Sequence, residues 1–168
     1  MTGRRAAAAA VAAIALAITA CTGDGDAAAS PTIPTSVEEL PTMDASTFAR
    51  LIADQRGTPV LVNIWGSWCG PCEEETPDLV AAYGRWADRV RFLGVDAQDD
   101  RSGAIEFLTR HHVPYPSVFD PSNSIAVSYG VFAPPDTLFF DAEGNLVETV
   151  TGLISARDLR ANLRAIAA

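Results

Sequence analysis

From residue 42 onward, apolar residues follow two patterns that alternate along the chain. Short continuous apolar runs between Gly, Pro, Asn or Asp are typical of buried strands, and apolar residues three or four positions apart are typical of helices with one buried face. These patterns predict helices at 45–56, 73–86, 101–111, 123–129 and 155–166, and strands at 59–65, 90–95, 116–119, 137–140 and 146–151. Because helices and strands alternate and the last two strands form a hairpin, the sequence predicts an α/β domain with a mixed sheet flanked by helices.

The N-terminal 20 residues have a different pattern. Arg4 and Arg5 precede an Ala-rich apolar run at 6–20, which is typical of a secretory signal and short for a permanent membrane span. Small residues stand directly before Cys21, as in bacterial lipoprotein signals, so we predict that Cys21 is acylated and becomes the mature N-terminus. The alternative is an ordinary cleaved signal followed by an unrelated cysteine.

The next stretch, residues 22–41, is rich in Ala, Gly, Asp, Ser, Thr and Pro, a composition typical of a flexible linker. The predicted organisation is therefore a lipoprotein signal peptide at 1–20, a lipidated cysteine and tether at 21–41, and one domain at 42–168. This organisation predicts a protein anchored to the outer face of a bacterial cell membrane by its N-terminal lipid.

The formal net charge is −9 at pH 7. Such an acidic chain is repelled by phosphate backbones and by anionic lipid surfaces. The sequence therefore excludes nucleic acid as a partner.

The candidate chemistry lies in Trp68-Cys69-Gly70-Pro71-Cys72, between a predicted strand and a predicted helix. A cysteine at a helix N-terminus is stabilised as a thiolate, and a second cysteine three residues later lies within bridging distance. A zinc half-site is a poor alternative because no second Cys or His pair has ligand spacing, so no metal is expected. Haem attachment is excluded because Glu73 follows Cys72. Neither a flavin nor a nicotinamide motif is present, so no cofactor is expected.

This order of elements around Trp-Cys-Gly-Pro-Cys resembles the thioredoxin fold, and further details resemble its TlpA/ResA-like branch of membrane-tethered thiol-disulfide oxidoreductases, which includes proteins of cytochrome c maturation. The similarity covers residues 42–168. It is carried by the motif itself, Asn63, Glu75, Pro77, a strand-and-helix insertion at 96–129, and the loop 129–141.

The resemblance implies roles for particular residues. Cys69 is expected to be the nucleophile and Cys72 the resolving cysteine of a Cys69–Cys72 redox disulfide, with Glu75, partly buried, handling the proton of Cys72. A family cis-proline is expected at Pro135, although the Ala133–Pro134 bond is an alternative. The residues expected to contact substrate are Trp68, Gly70, Pro71, Pro134 and Pro135.

Pro134 departs from the Val, Ile or Thr that is usual before the cis-proline. Because proline has no N–H, it offers a substrate peptide only its carbonyl oxygen. We therefore expect weaker or altered peptide binding.

The direction of exchange is interpreted from charge. Glu73 stands four residues after Cys69, where a carboxylate opposes a thiolate, and a less stable thiolate means a lower reduction potential. We therefore predict a reductase of disulfides in secreted or membrane-bound proteins, with apocytochrome c as one candidate substrate and a membrane electron donor for re-reduction. The alternatives are a disulfide-forming oxidase, a thiol peroxidase, whose Pro-x-x-x-Thr-x-x-Cys pattern is absent, and a non-catalytic binding module or chaperone.

Overall fold

A computed structural model describes residues 2–3, 31–36 and 39–168 of the chain. Most of the predicted signal peptide, Cys21, and residues 22–30 and 37–38 of the predicted tether lie outside the described residues. Within the described residues, no helix combines the length and the apolar character needed to cross a bilayer.

The described domain contains the elements that the sequence predicts, in the predicted order. The helices are α1 (Ala45–Ala53), α2 (Gly70–Trp86), α3 (Arg101–Arg110), α4 (Ser124–Ser128) and α5 (Ala156–Ile166), and the strands are β1 (Val60–Trp65), β2 (Arg91–Ala97), β3 (Ser117–Asp120), β4 (Asp136–Phe140) and β5 (Leu146–Thr151). The main difference is that α2 begins at Gly70 rather than at residue 73, because the side chain of Cys69 caps it.

The strands form one five-stranded sheet in the order β3-β2-β1-β4-β5. Strands β1, β2 and β3 are parallel, whereas β4 pairs antiparallel with both β1 and β5. The predicted mixed sheet is therefore confirmed. All six residues of the central strand β1 are buried, as expected for a strand covered on both faces.

Successive residues of the buried strands point to opposite faces and build two cores. Leu61, Phe92 and Phe139 pack with α2, α3 and α5 on one face. Val62 and Leu93 pack with α1 and α4 on the other. This two-sided burial explains why the strands are continuous apolar runs in the sequence.

The helices start where short polar side chains accept N–H groups of the first turn. Asp44 accepts from Thr47, Asp100 from Gly103, and Ser155 from Asp158. The caps predicted at Asp44 and Ser155 are confirmed. Such caps typically contribute about 1 kcal/mol each.

Strand register brings four loops to one end of the sheet. Trp65 pairs with Asp96, Ile64 with Asp136, and Asp136 with Thr151. Four loops therefore start or finish at the same end of the sheet, which we call the cysteine end. These loops are 66–69, 98–100, 130–135 and 152–154. All candidate functional side chains of the domain lie on or next to these loops.

The folded region starts earlier than the boundary predicted at residue 42. Leu40, assigned to the flexible tether, is fully buried. The N–H of Phe119 donates to the carbonyl of Pro41 at 2.8 Å, and Arg101 donates to the carbonyl of Leu40 and to the hydroxyl of Thr42. A single leucine in a polar stretch gives no periodic signal, so its burial could not be predicted.

Residues 33–35 also contact the domain. They line a groove with Arg91 and Pro114, which lie at the start of β2 and just before β3. Because β1, β2 and β3 run parallel, this groove lies at the end of the sheet opposite the cysteine end.

Candidate active site

The cysteine pair is built into the start of α2. The N–H of Cys69 donates to the carbonyl of Gly66 at 3.1 Å, and this turn directs the chain from β1 into the helix. Cys69 and Cys72 form a disulfide with an S–S distance of 2.01 Å and a Cα–Cα distance of 5.2 Å. Pro71 stands in the first helical turn, where its missing N–H is not needed.

Both sulfur-bearing residues are nearly inaccessible in this oxidised state. Cys69 is 3% exposed and Cys72 is 1% exposed. The N–H of Cys72 points at Sγ of Cys69, with 3.2 Å between N and Sγ. After reduction, the same N–H and the helix N-terminus would stabilise negative charge on Cys69.

Glu75 lies one turn into α2 and is more deeply buried than expected, with 1% of its surface exposed. Its Oε1 accepts a hydrogen bond from Nδ2 of Asn63 at 2.7 Å, and its Oε2 accepts from the N–H of Ile154 at 3.0 Å. The side chain is therefore fixed from β1 on one side and from the 152–154 loop on the other.

Burial raises the pKa of Glu75 from 4.5 to about 7, because a desolvated carboxylate is unfavourable. The charge of Asp136 raises it further, while the hydrogen bonds from Ile154 and Asn63 lower it. A carboxyl group with this pKa can both accept and release a proton near neutral pH.

A second buried carboxyl group, Asp136, was not identified from the sequence. It is 4% exposed, opens β4 directly after the proline pair, and accepts a hydrogen bond from the N–H of Gly152 at 2.9 Å. Burial raises its pKa above the usual value, and the Gly152 hydrogen bond opposes that shift. The available signal was an acidic residue directly before the buried run Thr137–Phe140.

The Pro134–Pro135 peptide bond is cis, whereas the alternative bond before Pro134 is not among the cis bonds of the described residues. Pro135 is buried and Pro134 is half-buried. Since Asp136 pairs with Ile64, this loop lies beside the end of β1 from which the cysteine loop departs.

Large apolar side chains are exposed on the loops of the cysteine end. Trp68 is 54% exposed, Phe132 76% and Leu153 45%. Each belongs to a different loop of the cysteine end.

Trp68 is held in place despite its exposure. Its indole N–H donates to the carbonyl of Gln98 at 3.1 Å. A Cβ at Gly66 would lie 2.8 Å from this indole nitrogen, so only glycine allows the ring to fold back over residue 66.

Glu73, four residues after Cys69, contacts His111, with 3.3 Å between Oε1 and Nε2. The expectation that His111 lies at a helix end is correct, since it directly follows α3. The sequence did not indicate its contact with the helix that carries the cysteines.

The fold and the cysteine pair place this protein among the thioredoxin-fold thiol-disulfide oxidoreductases, which are redox enzymes. The chain belongs to the AhpC/TSA family, whose model matches residues 38–149. It is 34% identical over 113 residues to the thiol:disulfide interchange protein DsbE of Pseudomonas aeruginosa, an alignment that covers 66% of this chain and 61% of that protein. It is 30% identical over 116 residues to the thiol-disulfide oxidoreductase ResA of Geobacillus thermodenitrificans, covering 68% and 67%.

Among solved structures, Mycobacterium tuberculosis DsbF superposes with a TM-score of 0.63 at 26% identity, covering 67% of this chain and 84% of that chain. The predicted resemblance to thioredoxin-like oxidoreductases is therefore confirmed. The chain is a thiol-disulfide oxidoreductase of the DsbE/ResA type, and it spans less than two thirds of the DsbE protein that it matches.

Proposed function

We propose that this protein is an extracytoplasmic reductase of disulfides in secreted or membrane-bound proteins. The observation that supports this direction is the set of acidic residues on the elements around the cysteine pair: Glu73 and the buried Glu75 follow it in α2, and the buried Asp136 opens β4 beside the end of β1. Negative charge opposes a thiolate and so favours the disulfide form of the enzyme, which makes its dithiol form a good electron donor.

The proposed reaction begins with the reduced enzyme. The Cys69 thiolate attacks one sulfur of a substrate disulfide, and the other substrate sulfur leaves as a thiolate and takes up a proton. Cys72 then gives its proton to Glu75 and attacks Sγ of Cys69, which releases the second substrate thiolate. Two electrons have passed to the substrate, and the enzyme holds the Cys69–Cys72 disulfide.

The next cycle requires two electrons from outside the protein. We assign this step to a membrane electron donor. Apocytochrome c remains one candidate substrate.

Substrate contacts are proposed at Trp68, Gly70, Pro71, Pro134 and Pro135. This assignment is supported by their positions on two loops of the cysteine end and in the first turn of α2, and by the exposure of Trp68, Gly70 and Pro71. Pro134 directly precedes the cis bond and has no N–H, so it would offer a substrate strand an acceptor but no donor.

The reduction potential tests the proposed direction. We expect glutathione equilibration of the Cys69–Cys72 pair to give a potential near the thioredoxin value of about −270 mV, together with rapid reduction of insulin disulfides. A potential near the DsbA value of about −120 mV would instead assign the oxidase function. Binding of unfolded protein without either reaction would assign a chaperone.

We also propose a lipid anchor on Cys21, with residues 1–20 removed as a signal peptide. The support is sequence pattern: an apolar run ends in small residues directly before this cysteine. Cys21→Ala expressed in a bacterial host should abolish metabolic labelling with palmitate and release the protein from the membrane fraction. Unchanged labelling and retention would contradict the anchor.

A further inference from the structure

The loop that presents Trp68 and Cys69 is held by the loop that follows β2. Asp99 accepts two hydrogen bonds from Ser67: its Oδ2 from the N–H at 2.5 Å and its Oδ1 from the hydroxyl at 3.0 Å. The carbonyl of Gln98 accepts the indole N–H of Trp68. Hydrogen bonds to a carboxylate are among the stronger ones in proteins, so Asp99 is the main attachment point of the cysteine loop.

A second carboxyl group, Asp96, lies at the end of β2 and is fully buried. Among the described residues, no N–H or O–H group donates a hydrogen bond to either of its carboxyl oxygens. Its register neighbours, Trp65 on β1 and Phe119 on β3, cannot titrate. A buried carboxylate without donors is strongly unfavourable, so this environment favours the protonated form of Asp96.

The electrostatic surroundings of Asp96 agree with a proton at this position. Burial raises the pKa of Asp96 to about 9. The charges of Asp99 and Asp100 and a side-chain hydrogen bond with Asp99 also raise this pKa, whereas the charge of Arg101 lowers it. A pKa of about 9 favours a carboxylic acid at neutral pH, which has one O–H to donate, and Asp99 is the side chain that contributes a hydrogen bond to this shift.

We propose that Asp96 and Asp99 are a positioning pair for the active site, in which protonated Asp96 donates to the Asp99 carboxylate from inside the core and Asp99 holds Ser67. The pair acts on the reaction through the backbone of Ser67 and Trp68, which leads directly to Cys69. The proposal deepens the oxidoreductase function, since it names the residues that orient the substrate-facing part of that site.

The first test follows the shared proton in the intact chain with the Cys69–Cys72 disulfide closed. The chain contains no lysine, and disulfide sulfurs do not titrate, so few other groups ionise near pH 9. We expect the ¹³C shifts of the Asp96 carboxyl carbon and of Ser67 Cβ to move together with a midpoint near pH 9. In Asp96→Asn, whose amide donates without titrating, Ser67 Cβ should not move.

The second test measures catalysis at pH 7. Asp99→Asn keeps the size of the side chain but loses its charge. We expect reduction of a disulfide peptide to become roughly tenfold slower, mainly through a higher KM. A tenfold effect is what the loss of one charge-assisted hydrogen bond typically causes. Asp96→Asn keeps a donor toward Asp99, so we expect a smaller loss of rate than in Asp99→Asn. Ser67→Ala, the mildest change, should slow the reaction by about threefold.

Asp100→Asn is the matched control. Asp100 is the neighbouring carboxylate and caps α3, but it makes no hydrogen bond to Ser67. We expect a lower Tm and an unchanged peptide KM. If Asp99→Asn changes only Tm, like this control, or if Ser67 Cβ does not follow Asp96, the pair has no positioning role. If the wild-type protein is inactive, the proposed function is wrong. The titration of the oxidised chain would still show whether Asp96 and Asp99 form the proposed pair.

Discussion

A Cys69→Ser variant is expected to lose reduction of insulin disulfides by more than about a thousandfold while keeping its fold. Only a thiolate attacks a disulfide efficiently, and Cys69 is the sulfur placed at the helix N-terminus, where the N–H of Cys72 points at it. Serine is nearly isosteric and still caps the helix, so stability should change little relative to the reduced wild-type protein. Insulin turbidity and thermal unfolding measure the two quantities.

Cys72→Ser completes the assignment of the two sulfurs. Its Cys69 can still attack a substrate disulfide, but nothing resolves the product. We expect mixed disulfides to accumulate to about one per chain, visible on non-reducing gels and by mass. Cys21→Ala is the matched control and should retain the wild-type rate. Mixed disulfides trapped instead by Cys69→Ser would reverse the two roles.

Glu75→Gln should slow resolution of the mixed disulfide at pH 8 by roughly a hundredfold, the usual range for loss of a proton acceptor. Because burial sets the pKa of Glu75 to about 7, the group is a carboxylate at pH 8 and can take the proton of Cys72, whereas below pH 6 it is protonated and cannot. The wild-type resolution rate should therefore rise with pH through about 7. The variant should lack this rise, as stopped-flow tryptophan fluorescence can measure.

The same substitution has a stability effect of defined sign. Folding raises the pKa of Glu75 above its ordinary 4.5, so its contribution to the unfolding free energy is complete below pH 4.5 and is lost as pH rises through about 7. This loss amounts to roughly 3 kcal/mol at most, and Glu75→Gln should abolish that part of the pH dependence. Urea unfolding at pH 5 and pH 8 measures it.

Glu74→Gln is the control for both measurements. Glu74 is the preceding residue of α2 and is exposed to solvent. We expect no change in the pH profile or in the slope of stability. If Glu75→Gln behaves in the same way, the resolving thiol loses its proton to another acceptor.

The sequence predicted the order of elements because each strand is an apolar run with turn residues at its ends. The same local signals placed the cysteine pair between β1 and α2. The surroundings of the pair could not be predicted in this way. The N–H that binds Glu75 belongs to Ile154, 79 residues away, and no local pattern records such a contact.

The buried carboxyl groups were missed for a related reason. Asp96 and Asp136 stand at strand ends, where acidic residues are usually solvated turn residues. They are buried here because neighbouring loops close over them, and only the register of four strands shows that these loops meet.

The contact of residues 33–35 with the start of β2 sets the place at which the predicted tether joins the folded domain. These residues join the folded body at the end of the sheet away from the disulfide. The lipid proposed on Cys21 would therefore be linked to the end of the sheet opposite the loops that carry Trp68 and Phe132. Partner proteins could then approach from the surrounding solvent rather than along the headgroups.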